Sequence, residues 1–304
     1  MENDKKELPT LAIVVPCYNE EEVLQESLPK LLEVLENLIE KKVVCNKSYI
    51  SFVDDGSSDS TFKFLKEESY NNKKIRILKL LYNAGHQKAL LCGIKENDAD
   101  IYLSIDCDLQ DDIDVIPDMI KKYKEQNLDV VYGIHNDRQT DSYWKKTFAE
   151  AYYKLIALLL SSSNSKSLSN HADFRLITRN VALFLRQINE HNLYLRGLIY
   201  NQNFKHDIVC YSRKKRNKGV SKYNIPKMFN LAINGIIGQT LLPIRLISLL
   251  GGVLFLSSLF VKSQILLIGG INLIATGILG EYLGRAFIEV QNRPNYIVSD
   301  KINY

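Results

Sequence analysis

Ile101-Tyr102-Leu103-Ser104-Ile105-Asp106-Cys107-Asp108-Leu109-Gln110-Asp111-Asp112 is the stretch on which the fold turns. Its first five residues are an apolar, strand-forming run that breaks directly into an acidic loop, and Ile116–Lys124 then resumes with helical periodicity. The same change of period occurs upstream. Leu11–Val15 runs into Pro16-Cys17-Tyr18-Asn19-Glu20, and Tyr49–Val53 runs into Asp54-Asp55-Gly56-Ser57-Ser58-Asp59. Ile75–Leu80 and Val130–Tyr132 are further strand candidates, with helical spacing over Glu20–Lys41 and Gly85–Asn97. Alternation of this kind predicts an open α/β sheet, in which ligands gather outside the carboxyl ends of the strands. The polar segments fall at those ends.

Asp106 and Asp108, one residue apart at a loop mouth, point the same way and suit a hard divalent cation bridging a carboxylate and a diphosphate. Ordinary helix capping explains the same residue types, with Asp111-Asp112 capping Ile116–Lys124 and Asp54-Asp55-Gly56-Ser57 forming a turn and cap. Both readings stand on local sequence alone. The five histidines are scattered without metal-ligand spacing; His86, after Asn83-Ala84-Gly85 at a strand end, is the one placed to face a ligand.

The formal net charge is +4, concentrated in Arg213-Lys214-Lys215-Arg216-Asn217-Lys218, where five of six positions are cationic. These cations adjoin apolar segments and lack interleaved aromatics, so a nucleic-acid partner is not expected. Five cysteines without paired spacing and the polar start Met1–Lys6 point to a reducing cytosol, with no zinc motif or secretory leader. Beyond the basic segment, Leu246–Val261 and Ile265–Gly280 carry no charge and are separated by Lys262-Ser263-Gln264, which predicts a helical hairpin. Each run would span roughly 24 Å against a hydrocarbon core of roughly 30 Å; extension to Leu241 and Phe287 admits only Arg245, Glu281 and Arg285 near the ends. Arg245, Arg285 and Arg293 at the open end place both termini of the hairpin in the cytosol. A buried hairpin in a soluble domain is the alternative. Tyr143–Leu160, with Trp144, Phe148, Tyr152, Leu155 and Leu159 at helical spacing, reads either as a core-facing helix or as an interfacial one.

Taken in order, Ile13–Glu20, Phe52–Asp59, Asn83–Gln87 and Asp106–Asp111 resemble family 2 glycosyltransferases, in the branch holding dolichyl-phosphate mannose synthase and the bactoprenol glucosyltransferases. Ala172-Asp173-Phe174-Arg175-Leu176, Leu195-Arg196-Gly197, Tyr211-Ser212-Arg213 through Arg216, Gly219–Tyr223 and Gly280–Arg285 extend the resemblance over almost the whole chain. It implies a GT-A-like domain with a mixed, mainly parallel sheet over residues 1–205, a basic juxtamembrane segment with an amphipathic helix over 206–240, and a transmembrane hairpin with a cytosolic tail over 241–304. By the resemblance, Pro16, Tyr18, Glu20 and one or both of Asp54 and Asp55 hold the nucleoside. Asp106, Asp108 and Gln110 surround the diphosphate and a magnesium or manganese ion, with Asp108 and Gln110 on the metal. Arg138, Arg216 and Lys222 lie near the phosphates, while Arg213, Arg216, Lys218, Ser221 and Lys222 meet the acceptor phosphate; Arg175 carries over as well.

The reaction so implied moves a hexose, with inversion, from a nucleotide-sugar (a UDP-sugar in the closer branch) to polyprenyl phosphate, undecaprenyl in bacteria, at the cytosolic face of the cell membrane. Homo-oligomers fit the same picture. The loop between the apolar helices is shorter than the branch usually shows, His135 stands where arginine is common, and the glutamine-x-x-arginine-tryptophan motif of processive synthases is absent, Trp144 being the only tryptophan. Two other readings remain: a hydroxyl acceptor, which needs a general base such as Asp111 or Asp173, and a nucleotide-sugar-binding scaffold without turnover.

Overall fold

The computed structural model describes residues 7–135, 171–190, 193–211 and 264–304. Val14 and its neighbours in β1 (Leu11–Cys17) are buried on both faces, which is what a Val/Ile run achieves only at the centre of a covered sheet. On one side β1 pairs in parallel with β2 (Tyr49–Asp54), which pairs in parallel with β3 (Ile75–Leu80); on the other it pairs in parallel with β4 (Ile101–Ser104). Two further strands, β5 (Val130–His135) and β6 (His171–Thr178), bring in antiparallel pairing, β6 lying between β4 and β5. With β7 (His206–Tyr211) and β8 (Val298–Ile302), the eight strands run in the order β7-β5-β6-β4-β1-β2-β3-β8, and four of the seven pairings are parallel. This is the mixed, mainly parallel α/β sheet expected from the sequence.

Helices cover both faces. On one face α1 (Glu21–Glu40), α2 (Thr61–Asn71) and α4 (Ile116–Gln126) bury Leu24, Leu31, Leu35, Leu65 and Met119. The α1 leucines recur at three- and four-residue spacing, one stripe of an amphipathic helix. On the other face α3 (His86–Glu96) and α5 (Arg179–Gln187) pack with α6 (Leu195–Asn201) through Leu90, Leu91, Ile94, Leu185 and Leu195. Gly93 lets α3 approach the sheet, since a Cβ there would meet Val14 Cγ1 at 2.3 Å.

The sheet takes in segments beyond residue 205. β7 (His206–Tyr211) pairs in parallel with β5, and β8 (Val298–Ile302) pairs antiparallel with β3. Lys301 Nζ lies 2.7 Å from Glu96, the Tyr296 hydroxyl donates to Glu96 at 3.1 Å, and Asn303 Nδ2 donates to Ser69 O and Ile75 O at 2.9 and 2.8 Å. Hydroxyls of Tyr304 and Ser51 meet at 2.8 Å. A segment expected to be a cytosolic tail is therefore an edge strand.

Between them, α7 (Gln264–Val290) makes the second expected arm of the hairpin a helix throughout. The first arm, Leu246–Val261, lies outside the described residues, as do Tyr143–Leu160 and the juxtamembrane segment from residue 212 to 240. Among the described residues no helix is long and apolar enough to cross a membrane; Asn272, Glu281, Arg285 and Glu289 interrupt the apolar run of α7. The expected transmembrane hairpin is thus not among the described elements.

Candidate active site

The carboxyl ends of β1, β2 and β4 lie side by side, with Cys17 opposite Asp54 and Val14 opposite Ser104. The loops leaving them lie side by side at one edge of the sheet. After β1, Pro16 is still in the strand, while Tyr18 is 40% exposed. Asn19 takes a left-handed backbone, φ 53°, an arrangement that asparagine tolerates better than most residues. Its Oδ1 accepts from Ser58 N at 2.8 Å, and its own N–H donates to Ser57 Oγ at 3.0 Å. The Glu20 N–H donates to Thr61 Oγ1 at 2.9 Å. The β1 and β2 loops are stitched together, so Tyr18 and Glu20 are held on a fixed turn.

Asp54 and Asp55 are both buried, and they do different work. Asp54 Oδ1 accepts from Ser57 N at 3.2 Å, whereas its Oδ2 is buried without a hydrogen-bond partner. Asp55 receives the N–H groups of Ala84 and Gly85 at 2.7 and 2.9 Å, clamping the loop that opens α3. Burial pushes both carboxyls up from the ordinary range, against these donors. Gly56, at φ 67°, lies against the same loop, where a Cβ would sit 2.6 Å from the Tyr82 carbonyl carbon. Only a residue without a side chain fits. Asp55 is thus committed to the loop, whereas one oxygen of Asp54 is buried without a partner.

After β4 come Asp106, Asp108 and Gln110. Asp108 Oδ1 accepts from Gln110 N at 3.3 Å, a tight turn in which Leu109 takes φ 46°. Asp106 keeps 42% side-chain exposure, yet its Oδ1 is buried without a hydrogen-bond partner. Burial, with the charges of Asp173, Asp111 and Asp108 adding to it and His86 opposing, pushes the Asp106 carboxyl up to about 6. Asp111 is buried and takes the Tyr211 hydroxyl.

Beneath this loop is a buried hub that the sequence indicated only in pieces. Asp173, on β6, receives Gln87 Nε2 at 3.0 Å, Arg175 Nη2 at 3.2 Å, and Arg196 through Nε at 3.1 Å and Nη2 at 3.0 Å. His86 Nε2 lies 3.3 Å from Asp173 Oδ2 and 3.6 Å from Asp106 Oδ1. Burial alone would raise the Asp173 carboxyl; the His86, Arg175 and Arg196 partners reverse that and hold it well below the usual range. For His86, burial works downward, and the two carboxylates outweigh it, so its pKa is raised. Arg175 is 1% exposed, and burial lowers its pKa against the pull of Asp173.

The chain's residues 12–183, more than half its length, match the family model described as glycosyl transferase family 2. The chain belongs to that family. Among curated relatives, an uncharacterized glycosyltransferase of Bacillus subtilis, YkoT, is 43% identical over 97% of this chain and 92% of its own. The prophage-derived bactoprenol glucosyl transferase of Shigella flexneri is 33% identical over 95% of this chain and 97% of its own. The protein is accordingly a family 2 glycosyltransferase built on a mixed α/β sheet.

Within this family 2 domain the fold brings Pro16, Tyr18, Glu20, Asp54, Asp55, Asp106, Asp108 and Gln110 to the adjacent carboxyl ends of β1, β2 and β4 and the loops that follow them. Arg138, Arg213, Arg216, Lys218, Ser221 and Lys222 lie outside the described residues. Gln87 and Arg196 had no assigned role in the sequence reading. The Leu195-Arg196-Gly197 motif was the one signal pointing to Arg196, and nothing local tied it to Asp173, 23 residues away.

Proposed function

We propose that the protein transfers a hexose from a UDP-sugar to polyprenyl phosphate, undecaprenyl phosphate in a bacterium, with inversion and with a divalent cation, at the cytosolic face of a membrane. A phosphate oxygen of the acceptor attacks the anomeric carbon, the bond from that carbon to the nucleoside diphosphate breaks, and the diphosphate leaves with the electron pair. One displacement gives inversion.

The observation that carries this reading is the engagement of the two carboxylates that a hydroxyl acceptor would need. Asp173 is saturated by Gln87, Arg175 and Arg196 with His86 alongside, and held ionised well below the range of a useful base; Asp111 takes the Tyr211 hydroxyl. A phosphate acceptor is already anionic and needs neither. The names of the Shigella relatives, bactoprenol glucosyl transferases, support a polyprenyl acceptor.

Asp106 and Asp108 fit a magnesium or manganese ion. Asp106 Oδ1 is a buried acceptor without a hydrogen-bond donor, and the crowding of carboxylates is what a cation relieves. Among the described residues no three His, Cys, Asp or Glu side chains form a closed cage. That suits an ion held by one or two carboxylates and the donor's phosphates, with Gln110 beside it. When bound, the ion neutralises charge building on the leaving diphosphate. Tyr18, Glu20 and Asp54 hold the nucleoside; Arg138, Arg213, Arg216, Lys218, Ser221 and Lys222 serve the phosphates. Residues 241–290 attach the domain to lipid, a reading supported by the exposed Leu279, Leu283, Phe287 and Ile288 on α7.

The test is a pair of acceptors, polyprenyl phosphate and the corresponding polyprenol. Transfer to the phosphate alone is expected. Transfer to the free alcohol at a comparable rate would instead point to base catalysis on a hydroxyl.

A further inference from the structure

His86 opens α3 directly after the Gly85 turn that Asp55 clamps, so its backbone position is fixed by Asp55 and not by its own side chain. Its Nε2 reaches two carboxylates of opposite character. Asp173 Oδ2, at 3.3 Å, belongs to a group already immobilised by Gln87, Arg175 and Arg196. Asp106 Oδ1, at 3.6 Å, belongs to a loop carboxylate and is buried with no hydrogen-bond donor. The imidazole edge is therefore the near contact between the rigid hub and the first carboxylate of the Asp106-Cys107-Asp108 loop, with the Arg196 charge acting on Asp106 from within the hub. An unlinked aspartate in such a loop turns freely about two side-chain bonds, and ordering it costs binding free energy.

We propose that His86 is a positioning residue for the donor diphosphate and its cation: anchored on Asp173, it fixes the orientation of Asp106 before the donor arrives. Asp173 is then the anchor of a chain that runs Arg175 and Arg196, Asp173, His86, Asp106. The inference rests on the reading that Asp106 and Asp108 face the donor diphosphate, and it is independent of which acceptor takes the sugar. Partners that orient a metal-binding side chain typically contribute 10- to 100-fold in metal affinity or activity, about the size expected here.

The experiment measures binding of Mn²⁺ with UDP, GDP, ADP, CDP or dTDP to the full chain by calorimetry, for the intact protein, His86→Ala and His86→Gln. Glutamine places an amide N–H near the position of the imidazole Nε2. His86→Ala is expected to weaken binding of the preferred diphosphate about 10-fold or more and to raise the donor KM more than it lowers kcat. His86→Gln is expected to recover most of the loss. Binding by His86→Ala within twofold of the intact protein would overturn the proposal, and so would equal weakening in both variants. If the intact protein binds none of the five diphosphates, the proposal falls together with the donor reading. If His86→Ala loses binding while polyprenyl phosphate accepts no sugar, the acceptor reading falls and the role of His86 stands.

Discussion

Asp173 carries more than its share of the site because it is the counter-charge of Arg175, a guanidinium that is 1% exposed and whose Nε and Nη1 have no hydrogen-bond partner. Removing one partner of a buried ion pair typically costs about 3–5 kcal/mol, since the other charge stays buried and uncompensated. Asp173→Asn is therefore expected to lower stability by about that much, read as a drop in the urea midpoint. The pH dependence follows from the direction of its shift. The folded carboxyl titrates well below the ordinary value of about 3.9. Its contribution is fully present above that value and is lost as pH falls toward the folded pKa. The intact protein should lose stability progressively below about pH 4, and the Asp173→Asn variant should show a flatter acid limb over that window. An unchanged acid limb would remove Asp173 from the account. Asp173 and Arg175 were legible in the sequence as part of a motif, but the hub was not, because Gln87, Asp173 and Arg196 are far apart in the chain and meet only when β6, α3 and α6 are packed.

The parallel half of the sheet was easiest to read among the elements, since Leu11–Cys17, Tyr49–Asp54 and Ile75–Leu80 are Val/Ile-rich runs bounded by turn residues. β6 escaped that reading because Asp173 and Arg175 break its apolar pattern, and both are charged residues tolerated in the interior by pairing with each other. β8 escaped it for another reason. Ser299, Asp300 and Lys301 are exposed on an edge strand, so its sequence resembles a solvated tail. The edge contacts predict consequences. Tyr304→Phe, which removes the hydroxyl contact to Ser51, should cost about 1 kcal/mol in equilibrium unfolding. Deleting Val298–Tyr304 should do much more, lowering the urea midpoint and exposing the β3 edge to self-association in sedimentation; an unaltered midpoint would mean that β8 is not part of the folded unit. Gly93→Val tests the other face, where added methyl groups meet Val14 and should cost about 1–3 kcal/mol.

For the whole molecule, β7 and β8 both join the sheet, so the chain is in the sheet at Tyr211 before α7 and again at Val298 after it. Leu81 N donates to Ile297 O at 2.9 Å, tying the end of the α7–β8 connection to the loop that Asp55 holds. Leu283 and Phe287, four residues apart on α7 and 64% and 63% exposed, form an apolar strip. In the proposed attachment to lipid this strip is the contact surface. The account predicts that the full chain co-sediments with anionic vesicles even in high salt, and that Leu283→Asp with Phe287→Asp weakens that association several-fold. Equal recovery of both proteins with vesicles would place the lipid contact elsewhere. Composition and apolar runs made an apolar tail legible, but not its return to the sheet, because strand pairing between residues more than two hundred positions apart leaves no local signal.

The central claim is sugar transfer from a nucleotide-sugar to a polyprenyl phosphate through a cleft built on Asp106 and Asp108. Its most direct test is incorporation of radiolabelled sugar into organic-extractable lipid by purified protein with polyprenyl phosphate, Mn²⁺ and a panel of nucleotide-sugars, with Asp108→Ala alongside. The account predicts label in the lipid phase with one donor and a loss of roughly a hundredfold or more in the variant, in keeping with several kcal/mol of charge stabilisation at the leaving diphosphate. No label with any donor, while the intact protein still binds nucleotide-sugar, would contradict it.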